Sequence, residues 1–241
     1  MARPFLRKLR KYVAAIPALA FGFVASPAFS TVVTVDANSI VPGNTTANFV
    51  GATMTSTGGG FTRATSGGIN PTPYIGVSGG AVPNELDGNQ KLTLSFLGTG
   101  GVINEITLAM LFLGGQAGDL VNEAALLQTT GGTACSVGGF IFCTVSASGS
   151  FRGTLAPVTN LSPATGGNGG IFKITNPFGS DVISQLQLSP WLIAGSGGAN
   201  SDFGLVSINY TTTAVPEPAS LMLVGLGVAG LALAGRRRAR R

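Results

Sequence analysis

Few residues of this sequence could carry out covalent chemistry. None of the 241 residues is a histidine, which excludes a Ser-His-Asp triad, a Cys-His pair and histidine-ligated metal sites. The segment Gly76-Val77-Ser78-Gly79-Gly80 has the spacing of a nucleophile elbow, but that motif works with a histidine base. We therefore interpret the segment as a turn and predict no catalytic residue in it.

Carboxylates are the remaining candidates, because a glycosidase or a calcium loop can be built from acidic side chains. Glu85 and Asp87 lie two residues apart, and with Asn89 they could supply the oxygens of a calcium loop. The flanking proline, asparagine and glycine favour a solvated turn instead. Asp119 and Glu123 have the spacing of acidic residues at a helix start. A carboxylate-based hydrolase is therefore the weaker alternative, and we expect no catalytic residue, metal or cofactor.

The two cysteines of the chain, Cys135 and Cys143, flank a pair of glycines at Gly138 and Gly139. A three-residue hairpin loop over residues 138–140 would place the two cysteines opposite each other. Exported chains meet an oxidising compartment, so we predict that the pair forms a disulfide.

Two patterns could serve a binding surface. Trp191 could form a sugar platform with Tyr74 and Tyr210, although a single tryptophan after Pro190 is more often a core residue. The threonine-rich segment 53–57 could face ice, but such a surface needs a flat, repeated threonine ladder. The sequence shows no repeat of fixed period, so we do not predict ice binding.

The positive charges lie mainly at the two ends of the chain. The net charge is +5, yet residues 31–215 contain four basic and eight acidic side chains. A mildly acidic body lacks the electrostatic basis for binding nucleic acid, so we expect no nucleic-acid partner.

Short runs of alternating apolar and polar residues dominate residues 31–213. Leu92, Leu94 and Phe96 alternate with polar neighbours, and glycine, asparagine and proline separate such runs. This pattern predicts an all-β exported domain, an antiparallel sandwich or jelly roll. One exception is residues 119–128, where Asp119 could cap a short helix.

The N-terminal residues 1–30 have the pattern of a secretory signal peptide. A basic stretch from Arg3 to Lys11 precedes an apolar run over residues 13–25, and small residues follow at Ala28 and Ser30. We predict cleavage after Ser30, with cleavage after Ala28 as the alternative.

The segment 214–241 combines a proline motif, an apolar run and an arginine cluster. In Val215-Pro216-Glu217-Pro218 the prolines fix φ and remove backbone donors, so this peptide should stay extended. Residues 219–234 carry no charge, and as a helix they would span about 24 Å of a hydrocarbon core of about 30 Å. Arg236, Arg237 and Arg238 then provide a membrane stop cluster on the cytoplasmic side. We predict a membrane helix over residues 219–234.

This ordered set of motif, helix and arginines resembles the PEP-CTERM sorting tail. The resemblance covers residues 215–241 and implies that an exosortase, a membrane cysteine transpeptidase, recognises the Pro-Glu-Pro region and processes the tail. It implies export through an inner-membrane intermediate to the cell surface or extracellular matrix, where exopolysaccharide would be a further partner. We expect a structural or interaction role and no enzymatic activity, with a carbohydrate- or calcium-binding adhesin module as the alternative.

Overall fold

The computed structural model describes residues 30–67, 71–116, 122–132, 142–154, 156–164, 168–191 and 201–212, together with Gly225 and Val228. Within these residues the chain forms one short 3₁₀ helix, Ala37–Ser39, and fourteen strands. The strands are β1 Thr31–Asp36, β2 Thr46–Phe49, β3 Ala52–Thr57, β4 Phe61–Thr65, β5 Pro73–Val77, β6 Lys91–Phe96, β7 Gly101–Leu111, β8 Ala124–Thr130, β9 Phe142–Ser146, β10 Phe151–Arg152, β11 Val158–Ser162, β12 Gly170–Thr175, β13 Gln185–Pro190 and β14 Gly204–Thr212.

The strands form two antiparallel sheets of seven strands each. The first sheet has the order β11-β12-β7-β14-β5-β4, with β1 paired to β14. The second sheet has the order β10-β9-β8-β13-β6-β3-β2. The inner faces of both sheets contribute to one continuous hydrophobic core, so the described chain is a sandwich-like all-β domain. The prediction of an antiparallel all-β fold is confirmed.

The alternation of apolar and polar residues along the strands determines which side chains form the core. Leu92, Leu94 and Phe96 are buried on β6, and Leu92 and Leu94 lie beside Leu188 and Leu186 of the neighbouring strand β13. The ring of Phe96 meets the ring of Tyr210 edge-on, with centroids 5.1 Å apart. The burial of the apolar side chains of the core is the main force that holds the two sheets together.

The predicted helix over residues 119–128 is wrong in its described part. Residues 124–128 belong to β8, which pairs with β9 on one side and β13 on the other. Ala125 and Leu127 are fully buried on its inner face. Leucine and alanine favour helix as isolated residues, but two flanking strands and a core contact outweigh that preference.

The predicted signal peptide, nearly all of the predicted membrane helix and the sorting motif lie outside the described residues. Gly225 and Val228, within residues 219–234, have helical backbone conformation. Among the residues that are described, no helix is long and apolar enough to cross a membrane.

Candidate functional site

The body ends at Thr212, the last residue of β14. Thr212 pairs with Thr31 of β1 on one side and with Gly101 of β7 on the other. A Cβ added at Gly51 would lie 2.6 Å from Cγ2 of Thr212, so the second sheet also packs tightly against this residue. The tail therefore leaves from a fixed point, and Thr31, the first residue after the predicted cleavage at Ser30, lies beside it.

The predicted sorting residues follow this point at once but lie outside the described residues. They are Val215, Pro216, Glu217 and Pro218 of the motif, and Arg236, Arg237 and Arg238 of the membrane stop cluster. Only two residues lie between Thr212 and Val215, so Val215 is three residue steps beyond Thr212. An extended chain covers at most about 11 Å over that length, so the motif is close to the sandwich wherever it is bound.

Three loops surround the point where the tail leaves, and we call them, with Thr31 and Thr212, the exit end. They are residues 49–52, 96–101 and 181–184. The backbone N–H of Leu97 donates to the carbonyl of Gly51 at 2.9 Å, and Gly101 and Ile183 exchange two hydrogen bonds of 2.9 Å. The hydroxyl of Tyr210 donates to the carbonyl of Val50 at 2.9 Å.

The opposite end of the sandwich, which we call the far end, contains four buried acids. Glu85, Asp87, Glu123 and Asp202 are each at most 8% exposed. The prediction that Glu85 and Asp87 lie in a solvated turn is therefore wrong. A bridge between Leu86 and Phe203, with hydrogen bonds of 2.8 and 3.2 Å, draws this segment into the fold.

Asp87 organises the loop between β5 and β6. One of its carboxylate oxygens accepts a hydrogen bond of 2.6 Å from the backbone N–H of Val82. Its own N–H donates to the side-chain oxygen of Gln90 at 3.0 Å, and Gln90 donates in turn to the carbonyl of Ser78 at 3.1 Å. A Cβ at Gly80 would lie 2.0 Å from this carboxylate. The loop is thus built around Asp87 and has room only for glycine beside it.

Glu123 has a comparable role between the two sheets. Its carboxylate accepts a hydrogen bond of 2.7 Å from the N–H of Phe112, and its own N–H donates to the carbonyl of Phe112 at 3.0 Å. Its carbonyl accepts from Ala147 at 2.9 Å. The interpretation of Glu123 as a helix-start charge is wrong, because this residue joins the end of β7 to the start of β8.

The two tyrosines of the body are core residues. Tyr74 is 4% exposed and Tyr210 is fully buried, so neither can form a sugar platform with Trp191, which was the weaker of the two interpretations of these residues. Burial, followed by the charges of Glu85 and Asp202, raises the pKa of Tyr74 to about 12. Burial alone raises the pKa of Tyr210 to about 12.

This arrangement does not suit hydrolysis at the far end. A glycosidase needs two carboxylates that face each other across a groove open to the sugar, and the four acids of the far end are enclosed instead. Among the residues that are described, no three His, Cys, Asp or Glu side chains have the geometry of a metal site. The hydrogen bonds of Asp87 and Glu123 hold backbone segments in place, which is a structural task.

Cys143 is fully buried on β9, where it pairs with Leu127 of β8. A Cβ at Gly153 would lie 2.7 Å from its sulfur, so Gly153 leaves space for this side chain. Cys135 and the loop 138–140 lie outside the described residues, and the disulfide stays a prediction.

The outer face of the second sheet, which the sequence did not reveal, carries two rows of uncharged polar side chains. We call it the polar face. One row runs across five strands as Thr46, Thr55, Thr93, Gln187 and Gln128. The next row is Asn48, Thr53, Ser95, Gln185 and Thr130. Two hydrogen bonds link neighbours in the second row, Thr53 to Asn48 at 3.0 Å and Gln185 to Ser95 at 3.1 Å.

The rows of the polar face escape a search for sequence repeats because each runs across the strands and not along one. Residues that are neighbours in a row are separated by up to about ninety positions in the chain. The sequence shows the alternation within single strands, such as Thr53 and Thr55 on β3 or Thr93 and Ser95 on β6. The strand order and register supply the rest.

Comparison with known proteins adds one finding, at the C-terminus. Residues 214–238 match the family model of the PEP-CTERM protein-sorting motif. No curated protein and no solved structure matches the chain. The matched residues are those that follow the exit end, and they include the Pro-Glu-Pro peptide, the apolar run and the arginines. The chain therefore carries a PEP-CTERM sorting tail, which supports an exported, exosortase-sorted protein of the cell surface or extracellular space.

Proposed function

We propose that this chain is a structural or interaction protein of the outer surface or extracellular matrix, and that its tail is a temporary anchor. The observation that carries the proposal is the sorting motif over residues 214–238, attached directly to a closed β-domain. In this proposal residues 1–30 are removed on export, and residues 219–234 hold the inner-membrane intermediate.

The chemistry of the tail supports its role as a substrate. Pro216 and Pro218 keep the peptide extended and leave it without a full set of backbone donors, so it cannot add to a sheet. An exosortase can therefore bind it without first unfolding the body. Because β14 holds Thr212 in place, cleavage beyond this residue removes none of the core side chains that the structure describes.

Glu217→Ala tests the proposal. The wild-type protein should lose the arginines of residues 236–241 and leave the membrane fraction, as measured by fractionation and intact mass. The variant should keep the full tail and stay membrane-bound, because the helix remains while the recognised peptide changes. Asn160→Ala, an exposed change on β11, should be processed as the wild type is. A mature wild-type protein that retains Arg236 to Arg241 would instead identify a permanent anchor.

A carbohydrate-binding role is the second candidate, and the polar face favours it. Its two rows present hydroxyl and amide groups without a charge, which suits the hydroxyl groups of a neutral polysaccharide. Exopolysaccharide around the cell would be the partner. The calcium-binding version of this role has no comparable support in the described residues.

Affinity electrophoresis in gels containing dextran tests the carbohydrate role. Dextran should retard the wild-type protein, and the double variant Thr93→Lys with Gln187→Lys should migrate freely, because two cations would disrupt the centre of one row. Thr159→Lys with Asn160→Lys, two exposed positions on the other sheet, is the matched control for the two added charges. Equal retardation of all three proteins would contradict binding at the polar face.

A further inference from the structure

Three apolar side chains are exposed together at the exit end. Val50 is 62% exposed, Leu97 is 60% exposed and Val182 is 43% exposed. They lie on the three loops that the hydrogen bonds at Gly51, Gly101 and Ile183 hold side by side. Single exposed apolar side chains are common on soluble proteins, whereas a group of them on one surface often marks an interaction site.

The loops that carry these side chains contain almost no charge. Asp181, which is half-buried, is the one ionisable residue in the segments 49–52, 96–101 and 181–184. The surface is therefore apolar with a weak negative charge, which gives anionic lipid headgroups no electrostatic attraction to it. Any contact it makes with a membrane must come from apolar burial.

The tail connects this surface to the predicted membrane helix. Six residues lie between Thr212 and Ala219, the first residue of the predicted helix, so the connection has seven residue steps. Fully extended they reach about 25 Å at most, and in the extended conformation that prolines favour about 22 Å. The headgroup region adds about 5–8 Å on each side of the hydrocarbon core. The exit end is thus the part of the body nearest the bilayer while the helix is inserted.

Because the connection between the body and the predicted helix is short, even a weak apolar contact between the body and the membrane can form. Joining two groups by a short peptide raises their local concentration to about the millimolar range. Three half-exposed aliphatic side chains can then bind the interface without the large area that free association requires. Because β14 ends at this surface, the tail starts at the exit end and not at the far end.

We propose that the exit end docks on the outer leaflet of the bilayer through Val50, Leu97 and Val182 until the tail is cut. This inference rests on the proposed function, because it requires the helix over residues 219–234 to be inserted. Docking would hold the Pro-Glu-Pro peptide at the membrane surface, where a membrane enzyme acts. The remaining polar surface of the body would stay in water.

Photocrosslinking of the full chain in vesicles tests the proposal. Leu97 is replaced by p-benzoylphenylalanine, and the protein is reconstituted in vesicles of phosphatidylethanolamine and phosphatidylglycerol. Irradiation followed by intact mass should show lipid adducts. Val41, which is 63% exposed and lies toward the far end, carries the same probe as the matched control and should give none. A third protein carries the probe at Leu226 and reports insertion of the helix.

The outcomes separate the two proposals. Adducts at residues 226 and 97 but not at residue 41 support docking. Adducts at residue 226 with none at residue 97, or equal yields at residues 97 and 41, overturn docking and leave the anchor in place. No adduct at residue 226 overturns the anchor, and docking with it.

A second variant checks that the native side chains cause the contact. Val50→Ser with Val182→Ser should lower the adduct yield at residue 97 by about threefold or more, because less apolar area enters the interface. The yield should not change between low and high salt, since no charge attraction is involved. A yield that salt abolishes would contradict the apolar mechanism.

Discussion

The two buried tyrosines predict how the body responds to alkaline pH. Folding raises the pKa of Tyr74 and of Tyr210 from about 10 to about 12. The unfolded chain therefore releases both phenol protons near pH 10, while the folded chain keeps them until about pH 12. The stability that these groups contribute is complete below pH 10 and is lost as the pH rises through 12.

The size of this loss follows from the shift. A shift of about two pKa units corresponds to about 2 kcal/mol for each tyrosine by the time the pH reaches 12. Tyr210→Phe separates this effect from the rest of the titration. At pH 7 the variant should be less stable by about 1 kcal/mol, because it lacks the hydrogen bond to the carbonyl of Val50. At pH 12 it should be more stable than the wild type by about 1 kcal/mol.

Two measurements check the prediction on the mature body, whose tyrosines are Tyr74 and Tyr210 alone. Tyrosinate absorbance should rise near pH 12 for the folded protein and near pH 10 in strong urea. Urea unfolding of wild type and variant at a series of pH values should give curves that cross near pH 11. Tyr74→Phe removes one of the two tyrosines and no lysine. It should therefore halve the absorbance change, which separates the titration of the tyrosines from that of the lysines. Tyrosinate formation near pH 10 in the folded protein would refute the reasoning.

Two further predictions concern covalent and steric constraints. Non-reducing intact mass of exported protein should show that Cys135 and Cys143 are oxidised. Reduction should cost about 2–3 kcal/mol of stability in the chain-entropy model. Free thiols in that sample would rule out the disulfide. Gly80→Ala should destabilise the body by about 1–3 kcal/mol through overpacking, because its Cβ would lie 2.0 Å from the carboxylate of Asp87. That cost, measured by urea unfolding, should shrink in an Asp87→Ala background, and an undiminished cost would place the clash elsewhere.

The fold class was predictable because it depends on local pattern. The alternation of Leu92, Leu94 and Phe96 predicts one buried face, and the structure buries all three. The same reasoning failed over residues 124–128, since a short apolar run fits a helix and a buried strand equally well. Only the strands on either side, β9 and β13, decide between the two.

The acids of the far end could not be placed from the sequence. Asparagine, glycine and proline around Glu85 and Asp87 correctly indicate a loop, but loop residues are usually solvated. The segment is drawn into the fold by the bridge between Leu86 and Phe203, which lies more than a hundred residues further along the chain. The sorting tail is the opposite case, because its motif, apolar run and arginines are consecutive and are read without any knowledge of the fold.

The two ends of the sandwich differ in a way that suits a body attached by one end. The three longest connections between strands are β5–β6, β7–β8 and β13–β14, and the strand ends that they join lie at the far end. The buried acids Asp87 and Glu123 hold such connections in place at the far end. At the exit end the chain instead makes tight turns, such as the one at residues 50–51. If the exit end faces the bilayer, the far end is the part of the protein that reaches furthest from the cell. A change of function between proteins that share this tail would then be expected in the far-end connections, since altering them leaves both the sheet registers and the exit of the tail unchanged.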